Sequence, residues 1–423
     1  MKVLIIGSGG RENAIAWKIS QSPLLTKLFC APGNPGTASV ATNISIDILN
    51  FESIKHCVIE NDINMVVVGP EEPLVRGLGD YFRQDAQLGE ILFVGPDSSG
   101  AALEGSKEFA KAFMKKHNIP TASYNSFNKN TINEAFSFLE SLSPPYVLKA
   151  DGLAAGKGVI IPETLGQAKE ELREMLGGKF GKAGETVVIE EFLHGIELSV
   201  FIMTDGKEYL ILPEAKDYKR IYDGDKGLNT GGMGAVSPVP FATDDFMQKV
   251  ESQVIIPTIH GLQKDNIHYK GFIFIGLMNC NGSPYVIEYN VRLGDPETEA
   301  ILPRIESDLL EHLKALGQEK LSSQKIKISS DHSLTVVMVS EGYPQNYEKG
   351  IEITLDNSYP DKMLFHAGTA TKENRLITAG GRVFALTVTG SGISECRQTV
   401  YNQIEDINYK GKFFRKDIGT DLL

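Results

Sequence analysis

The chain has 423 residues, of which 42% are hydrophobic and 23% charged, and its formal net charge is −12 at pH 7. This composition is typical of a folded globular protein with about three domains, at roughly 150 residues per domain. The acidic balance disfavours a dedicated binder of nucleic acids or anionic membranes, because phosphate-rich partners require a basic surface. It does not exclude a small anionic ligand in a local pocket.

Cysteine spacing, histidine spacing and hydropathy exclude further classes of protein. The four cysteines are far apart and no two histidines have H-x-x-x-H spacing, which disfavours a disulfide scaffold and a structural zinc site. The first apolar run, M-K-V-L-I-I-G, is too short for a signal peptide, and no run reaches the roughly 18 apolar residues of a membrane span. We therefore expect a cytoplasmic protein.

The first hundred residues alternate short apolar runs with amphipathic stretches. The runs predict strands at Val3–Ile6, Leu28–Cys30, Met65–Val68 and Ile91–Val94, and the stretches between them predict helices such as Ile54–Glu60 and Leu74–Gln84. Strand, turn and helix in repetition indicate a doubly wound parallel sheet, here over residues 1–103. In such sheets the ligand lies at the carboxyl ends of the strands.

The pattern changes at Glu104. A helix is predicted at Ser106–His117, then a small α+β subdomain over about 121–190, with strands Tyr146–Ala150, Val159–Ile161 and Thr186–Glu190 and helix Leu165–Leu176. Alternating strands at 196–203, 208–215, 271–280 and 284–291 predict an antiparallel sheet, and a helix at 297–316 follows. A polar linker at 316–325 separates domain 104–326 from a β-rich module, 327–423. That module is predicted to contain strands Leu334–Val339, Ile351–Leu355 and Val383–Thr389 and helix Ile393–Asp406.

A glycine-rich turn, G-S-G-G-R-E at 7–12, follows the first strand and opens the first helix. It is not a dinucleotide fingerprint, because Glu12 replaces the third glycine and the second strand lacks a terminal acid to bind the ribose. Free amides at the helix N-terminus and the guanidinium of Arg11 would suit one phosphate group. Alternatively, the glycines serve the backbone of the turn alone.

A second glycine loop, A-D-G-L-A-A-G-K-G-V at 150–159, lies between two predicted strands. Its spacing is not that of a Walker A loop, and Gly158 stands where a magnesium-binding hydroxyl would be needed. Such a hairpin could fold over a triphosphate as a lid, with Lys157 as a mobile charge and Lys149 pointing in from the strand. A plain surface hairpin with a solvated Lys157 is an equal alternative.

The segment I-E-E-F-L-H-G-I-E-L-S-V at 189–200 carries acids on both sides of a short apolar stretch. Phe192 and Leu193 could pack on a purine, while Glu190, Glu191 and Glu197 could accept hydrogen bonds from the nucleoside. Acids at a strand end are also commonly just solvated, so this signal is weak alone.

The clearest local signal is V-I-E-Y-N-V-R-L-G-D-P-E at 286–297. Alternation places Val286, Glu288, Asn290 and Arg292 on one face of a strand, opposite an apolar face. A carboxylate and an amide oxygen two residues apart suit Mg²⁺ that bridges nucleotide phosphates, and Arg292 could hold a carboxylate or phosphate.

Residues 213–235 are rich in charged residues of both signs, followed by several glycines. A loop of this composition is not expected in a core, and we predict a mobile, functional segment there.

Together these strings resemble the phosphoribosylamine–glycine ligases of the ATP-grasp superfamily over essentially the whole chain. The most specific are D-G-D-K-G-L-N-T-G-G-M-G-A at 223–235 and R-L-G-D-P-E at 292–297; the others are G-S-G-G-R-E, A-P-G-N-P-G-T at 31–37, G-P-E-E-P-L at 69–74 and K-A-D-G-L-A-A-G-K-G-V. Two departures are Asn13, where the family usually has His, and Leu293, where it usually has Phe. Asn13 weakens a role for that side chain in substrate binding, whereas Leu293 keeps an apolar anchor.

The resemblance implies an ATP-grasp fold and a reaction of purine synthesis. ATP, glycine and 5-phosphoribosylamine would give ADP, phosphate and glycinamide ribonucleotide through glycyl phosphate, with Mg²⁺, or else Mn²⁺, as the metal. No nucleic acid or membrane partner is implied, and a monomer is favoured over an oligomer. The alternatives are another ATP-grasp carboxylate–amine ligase or carboxylase of purine synthesis, and, outside the ligases, a nucleotide-binding oxidoreductase.

The resemblance also implies roles for individual residues. Metal binding falls to Glu288 and Asn290. ATP binding falls to Lys107, Lys149, Gly152, Gly156, Lys157, Gly158, Glu190, Glu191, Phe192, Leu193 and Glu197. Phosphoribosylamine binding falls to Gly9, Gly10, Arg11, Asn34, Gly36 and Glu71. The residues implied to bind glycine and the incoming amine are Asp217, Lys219, Arg292 and Asp295.

Overall fold

The N-terminal part of the molecule is a parallel sheet covered by helices on both faces. The computed structural model describes residues 1–154, 158–355 and 363–423. The strand order is β3-β2-β1-β4-β5. Side chains Val3 to Ile6 of the central strand are wholly buried, as expected where helices cover both faces. The strands are β1 (Lys2–Gly7), β2 (Lys27–Pro32), β3 (Thr42–Asn43), β4 (Met65–Val68) and β5 (Leu92–Val94).

The helices of this part differ from prediction at one place. The prediction of a single helix over Leu74–Gln84 is wrong. The chain turns at Gly77, whose φ of 90° is in the left-handed region, and this turn separates two short helices. The helices are α1 (Gly10–Ser20), α2 (Phe51–Glu60), α3 (Glu71–Val75), α4 (Leu78–Gln84) and α5 (Ser98–Gly105).

A small antiparallel sheet follows helix α6 (Lys107–Lys116) and matches the predicted α+β subdomain. Its strand order is β6-β9-β7-β8, and two helices cover one face around a separate apolar core that includes Leu139, Leu148 and Leu172. The elements are β6 (Tyr124–Asn128), α7 (Ile132–Ser141), β7 (Val147–Ala150), β8 (Val159–Ile160), α8 (Leu165–Glu174) and β9 (Thr186–Glu190).

The central antiparallel sheet has the order β11-β10-β16-β17 and confirms the predicted alternating strands. Strand 208–215 is shorter than predicted, since only Tyr209–Ile211 pairs as a strand. The sheet packs on helices α9 and α10. The elements are β10 (Ile196–Thr204), β11 (Tyr209–Ile211), α9 (Asp244–Val250), α10 (Ile256–Lys264), β16 (Gly271–Cys280) and β17 (Ser283–Asn290).

Residues 213–235 lie partly in the core, which contradicts the expectation that a loop of this composition stays outside it. They form β12 (Lys216–Asp217), β13 (Arg220–Tyr222), β14 (Lys226–Asn229) and β15 (Gly234–Ser237). Met233, Ala235 and Val236 are wholly buried, because β15 pairs with β18 (His332–Ser340) of the C-terminal sheet. The glycines and charged residues of this segment therefore flank a short buried strand, which cannot be recognised from composition alone.

The C-terminal sheet has the order β12-β15-β18-β23-β20, with α13 packed on it. The predicted strand Ile351–Leu355 is reduced to Thr354–Leu355. The elements are β18 (His332–Ser340), β19 (Thr354–Leu355), β20 (Met363–His366), β21 (Thr369–Lys372), β22 (Arg375–Thr378), β23 (Arg382–Gly390), α13 (Ile393–Ile404), β24 (Ile407–Asn408) and β25 (Lys412–Phe413).

Two connections before this sheet also differ from prediction. The helix expected over 297–316 is broken into α11 (Glu297–Ile301) and α12 (Leu309–Gly317), with Asp308 capping the second helix. The polar stretch at 316–325 is not a free linker: Leu321 is buried, and its amide donates to Asp205 Oδ2 at 3.2 Å.

Candidate active site

A cavity of about 390 Å³ lies where the N-terminal sheet, the small sheet, the central sheet and the C-terminal sheet meet. Among the described residues, its walls contain equal numbers of acidic and basic side chains. The acids are Glu71, Glu104, Glu190, Asp217, Glu288, Asp295 and Glu297, and the bases are Arg11, Lys107, Lys111, Lys149, Lys219, Arg292 and Arg382. A densely charged, partly buried cavity of this kind suits ionic substrates.

Strand β17 forms one wall of the cavity, and a β-bulge orients its side chains. Gly276 pairs with Glu288 but Leu277 pairs with Val286, so Ile287 is an extra residue in the strand. Val286 is consequently in the core, and the prediction that it shares the polar face is wrong. Glu288 and Asn290 face the cavity as predicted.

Glu288 is ionised in spite of its burial. Burial would raise the pKa of this carboxyl, but the charges of Lys219, Lys149 and Lys107 outweigh it and hold the pKa below its ordinary value. The result is a negatively charged carboxylate close to three lysines.

Three buried side chains form an ion-pair cluster where the small sheet meets α6. Glu190 Oε2 lies 2.7 Å from Lys111 Nζ, and Glu190 Oε1 lies 2.9 Å from Lys149 Nζ. Lys111 also donates to Thr121 Oγ1 at 2.7 Å. Burial lowers the pKa of Lys111 to about 8 in spite of the charge on Glu190.

Asp151, in the second glycine loop, positions Lys107. Its side chain accepts from Ser106 Oγ at 3.0 Å and from the amide of Glu108 at 2.7 Å, which caps helix α6. Lys107 Nζ then reaches the carbonyl of Gly152 at 3.4 Å. Burial lowers the pKa of Lys107, which faces Glu288 across the cavity.

On the opposite wall, Lys219 is placed between two acids. It forms ion pairs with Glu197 and with Asp217, the latter with Nζ and Oδ2 3.5 Å apart. Burial lowers the pKa of Lys219, but Asp217 and Glu197 raise it more, so it lies well above the ordinary value. Burial raises the pKa of Asp217 despite Lys219.

The N-terminal turn is arranged differently from the prediction. The carboxylate of Glu12 accepts from the amide of Gly9 at 2.6 Å and from Arg11 Nε at 2.6 Å, so it occupies the helix N-terminus itself. The amide of Gly9 is therefore engaged by Glu12 within the chain, and phosphate binding at this helix stays a prediction. The side chain of Glu12 also explains why residue 69 is a glycine, since a Cβ at Gly69 would lie 1.9 Å from Glu12 Oε1.

Asn34 and Gly36 hold the N-terminal loops against the C-terminal sheet. Asn34 Nδ2 donates to the carbonyls of Ser8 at 2.8 Å and His366 at 2.7 Å. The amide of His366 donates to Asn13 Oδ1 at 2.7 Å, so the unusual Asn13 is a contact between domains. A Cβ at Gly36 would lie 2.1 Å from that same oxygen.

Family models match almost the whole chain. The N domain of phosphoribosylglycinamide synthetase matches residues 1–104, its ATP-grasp (A) domain residues 105–298 and its C domain residues 333–421. The chain belongs to the phosphoribosylglycinamide synthetase family.

Individual relatives agree with this family. The chain is 44% identical to the phosphoribosylamine–glycine ligase of Pasteurella multocida, over 99% of this chain and 97% of the relative. It is 45% identical to a bifunctional purine biosynthetic protein of Schizosaccharomyces pombe, over 99% of this chain and 53% of that protein. The crystal structure of phosphoribosylamine–glycine ligase from Thermotoga maritima matches with a TM-score of 0.87 and 36% identity, covering 99% of this chain and 100% of that one.

The cavity brings together just over half of the residues that the sequence singled out. Those that line it are Arg11, Glu71, Lys107, Lys149, Gly158, Glu190, Asp217, Lys219, Glu288, Asn290, Arg292 and Asp295. Those that do not are Gly9, Gly10, Asn34, Gly36, Gly152, Glu191, Phe192, Leu193 and Glu197. Gly156 and Lys157 lie outside the described residues.

Four charged residues of the cavity wall escaped the sequence argument. Lys111 could have been found, because it follows Lys107 by one helical turn and so shares its face of α6. Glu297 ends the R-L-G-D-P-E string and was visible there. Glu104 and Arg382 belong to no motif, and only the tertiary fold brings them to the cavity.

Within residues 1–154, 158–355 and 363–423, no three His, Cys, Asp or Glu side chains converge as in a protein-only metal site. Two oxygen ligands, Glu288 and Asn290, remain the candidate pair. No helix within these ranges has the length and apolar character to cross a membrane.

Proposed function

We propose that the cavity is the active site in which ATP drives the joining of glycine to 5-phosphoribosylamine. The products are glycinamide ribonucleotide, ADP and phosphate, in a step of purine biosynthesis. The observation that carries this proposal is one cavity in which seven basic and seven acidic side chains of the described residues converge from all four sheets. Such a cavity provides for two phosphorylated substrates and one zwitterion together.

The chemistry requires activation of a carboxylate, because its oxygen is a poor leaving group for an attacking amine. A carboxylate oxygen of glycine attacks the γ-phosphorus of ATP, and the bond to the β-phosphate oxygen breaks to release ADP. The amine nitrogen of phosphoribosylamine then attacks the carbonyl carbon of glycyl phosphate. Phosphate departs with the original carboxylate oxygen, and the nitrogen loses a proton. The protein contributes positioning, charge neutralisation and exclusion of water.

ATP is placed between the small sheet and strand β17. Lys107 and Lys149 are enclosed with Glu288 at one part of the cavity, which supports contacts to the phosphates. The apolar side chains Leu153, Val159 and Ile287 are also in the wall, beside the strand that carries Lys149, and suit a purine. Glu190 and Gly158 also line this end.

Glu288 and Asn290 fit a divalent metal such as Mg²⁺, with Mn²⁺ as a substitute. Both supply hard oxygen atoms, and the lysines around Glu288 keep it ionised. Two protein ligands suit Mg²⁺, which keeps sites for water and phosphate oxygens. When bound, the metal would neutralise phosphate charge.

Phosphoribosylamine is placed beside the N-terminal sheet. Arg11, Glu71 and Asp295 line that end of the cavity, and Arg11 is charged, since Glu12 and Asp295 raise its pKa against the effect of burial. Asp217, Lys219 and Arg292 lie between this end and Glu288, where glycine must meet both partners. Gly9, Gly10, Asn34 and Gly36 shape the surrounding loops.

We further propose that the enzyme acts as a monomer in the cytoplasm. The four cysteines are free, which is usual for a protein of a reducing compartment.

The decisive experiment measures ADP release with ATP, glycine and freshly prepared phosphoribosylamine. Release is expected only when all three are present, together with a product of the mass of glycinamide ribonucleotide. ADP release with bicarbonate in place of glycine would instead support a carboxylase. Glycine labelled with heavy oxygen in its carboxylate should transfer one labelled oxygen to phosphate, and phosphate without label would exclude glycyl phosphate.

A further inference from the structure

Residues 216–219 contact the cavity on one face and the C-terminal part of the chain on the other. Asp217 and Lys219 line the cavity, whereas Lys216 and Tyr218 do not. Side chains alternate along an extended segment, so Lys216 and Tyr218 lie on the opposite face. Tyr218 is 3% exposed and packs in the core of the C-terminal sheet. Contacts that hold Tyr218 in place therefore also set the positions of the two cavity residues beside it.

The hydroxyl of Tyr218 is held by residues 415–421, which we call the C-terminal strap. It donates to Asp421 Oδ1 at 2.6 Å and accepts from the amide of Gly419 at 3.0 Å. Burial, followed by the hydrogen bond to Asp421, raises the pKa of Tyr218, so the hydroxyl keeps its proton and acts as the donor. Lys216 forms an ion pair with the same carboxylate. The strap thus anchors both residues of this face.

Arg415, at the start of the C-terminal strap, fixes the strap to the hairpin of β13 and β14. The residue is 1% exposed. It donates through Nε and Nη2 to Asp417, each at 2.7 Å, and through Nη1 to the carbonyl of Arg220 at 3.1 Å and to Asp225 Oδ1 at 2.7 Å. The guanidinium carbon also lies 5.3 Å from the centre of the Tyr218 ring. A buried guanidinium with these partners is held in one orientation, which makes the strap a firm support for the segment.

Backbone pairing alone gives this segment little support, because β12 has two residues, Lys216 and Asp217, and lies at the edge of the C-terminal sheet. We propose that Tyr218 is a positioning residue, through which the C-terminal strap fixes Asp217 and Lys219 in the cavity. This inference rests on the proposed function of the cavity. It gives the strap a role in catalysis although residues 415–421 do not line the cavity themselves. Displacement of a substrate contact by about 1 Å can cost roughly a hundredfold in rate.

Tyr218→Phe tests the proposal, because it removes the hydroxyl and keeps the buried ring. Asp217 and Lys219 would lose their fixed positions, so the KM for glycine, for phosphoribosylamine or for both should rise about tenfold. The KM for ATP should change by less than about twofold, since Lys107 and Lys149 are on other elements. A smaller folded fraction would lower kcat and leave every KM unchanged, so this split distinguishes positioning from loss of stability.

Tyr409→Phe is the matched control. Tyr409 is a buried tyrosine of the same module, and its hydroxyl donates to the carbonyl of Val339 at 3.0 Å. It belongs neither to the C-terminal strap nor to the cavity wall, so all three KM values of this variant should stay within about twofold of wild type. The proposal is overturned if Tyr218→Phe behaves like this control, or if its KM for ATP rises as much as the others.

Asp421→Ala provides a second test, which applies even if Tyr218→Phe does not fold. The side chain of Asp421 is 46% exposed, so its removal leaves the core intact. The same KM values should rise as in Tyr218→Phe. The double variant should be no worse than the more severe single variant, since both changes break one contact. Additive losses would contradict a common route through Tyr218.

Hydrogen exchange distinguishes failure of this inference from failure of the proposed function, because it needs no substrate. In Asp421→Ala, the amides of residues 216–222 should exchange faster than in wild type, and those of β17 should be unchanged. Unchanged exchange at 216–222 would overturn the inference even if the wild-type enzyme forms glycinamide ribonucleotide. Faster exchange in a protein whose wild type forms no glycinamide ribonucleotide would support the strap contact and count against the proposed function alone.

Discussion

Arg292 Nη2 donates to Glu104 Oε1 at 2.8 Å, which joins the segment after β17 to the end of α5. The same guanidinium reaches Asn290 Oδ1 at 3.3 Å and the carbonyl of Leu293 at 3.3 Å. Most of its donors are thus engaged by the protein, so Arg292 acts as a fixed positive charge and is not free as the two-pronged clamp that the sequence suggested. Burial raises the pKa of Glu104 to about 7 even beside this cation.

Glu288→Gln is expected to abolish ligase activity and leave the chain folded. The change removes the ionised oxygen from the proposed metal pair, while the apolar face of β17 is unaltered. Turnover at saturating Mg²⁺ and the melting temperature are the two measurements. Glu214→Gln is the control, since Glu214 is a partly buried acid that does not line the cavity. Near-normal turnover of Glu288→Gln would remove this residue from the metal site.

Lys111→Met is expected to weaken ATP binding and to lower stability. Glu190 would keep Lys149 as its single cation, and loss of one partner from a buried ion pair typically costs about 3–5 kcal/mol. We expect the KM for ATP to rise roughly tenfold or more. Lys115→Met, on the exposed side of the same helix, should behave as wild type. If both variants have the wild-type KM, the cluster has no part in nucleotide binding.

Arg11→Ala is expected to affect phosphoribosylamine and not ATP. The variant loses a charge-assisted contact of about 1.5–3 kcal/mol, equivalent to roughly a tenfold to hundredfold rise in the KM for phosphoribosylamine. ATP affinity measured by calorimetry should be nearly constant, and Arg76→Ala, an exposed change at the end of helix α3 in the same domain, is the control. Equal losses for both substrates would contradict the division of the cavity proposed above.

Glu299→Gln is expected to stabilise the protein increasingly as the pH rises. Neither carboxyl oxygen of Glu299 has a hydrogen-bond partner among the described residues, and burial, followed by Asp295, raises its pKa well above the ordinary value of 4.5. The wild-type chain therefore loses stability above about pH 4.5, by up to about 1.4 kcal/mol per pH unit, because the unfolded chain releases the proton first.

Urea unfolding of wild type and Glu299→Gln from about pH 5 to about pH 8 measures this effect. The difference in unfolding free energy should grow with pH. A difference independent of pH would show that Glu299 is ionised in the folded protein, with a partner such as Arg382 compensating its charge.

The sequence predicted the fold where local patterns carried the information. Two sequence patterns identify the two principal sheets: the apolar run at Val3–Ile6 and the alternation in β10, β16 and β17. A strand buried on both faces has a continuous apolar run, whereas a strand buried on one face alternates apolar and polar residues. Glu288 and Asn290 were likewise found from alternation. Val286 was misplaced, since the bulge at Ile287 depends on pairing with Gly276 and Leu277, which a single strand cannot reveal.

Predictions failed where a distant segment decides the environment of a residue. Residues 213–235 resembled a free loop, because the strand that buries Met233 and Ala235 lies about a hundred residues further on, at β18. Arg382 could not be associated with Asp295 from sequence, although they are 3.0 Å apart in the fold.

The pairing of β15 with β18 has a consequence for dissecting the molecule. A fragment that ends before residue 327 would lack β18 and expose the backbone edge of β15. The remaining C-terminal fragment would lack β12 and β15, two strands of its sheet. Unpaired edges of this kind favour aggregation. Co-expression of the two fragments should therefore restore a soluble complex that neither forms alone, much as a split reporter reassembles from its halves.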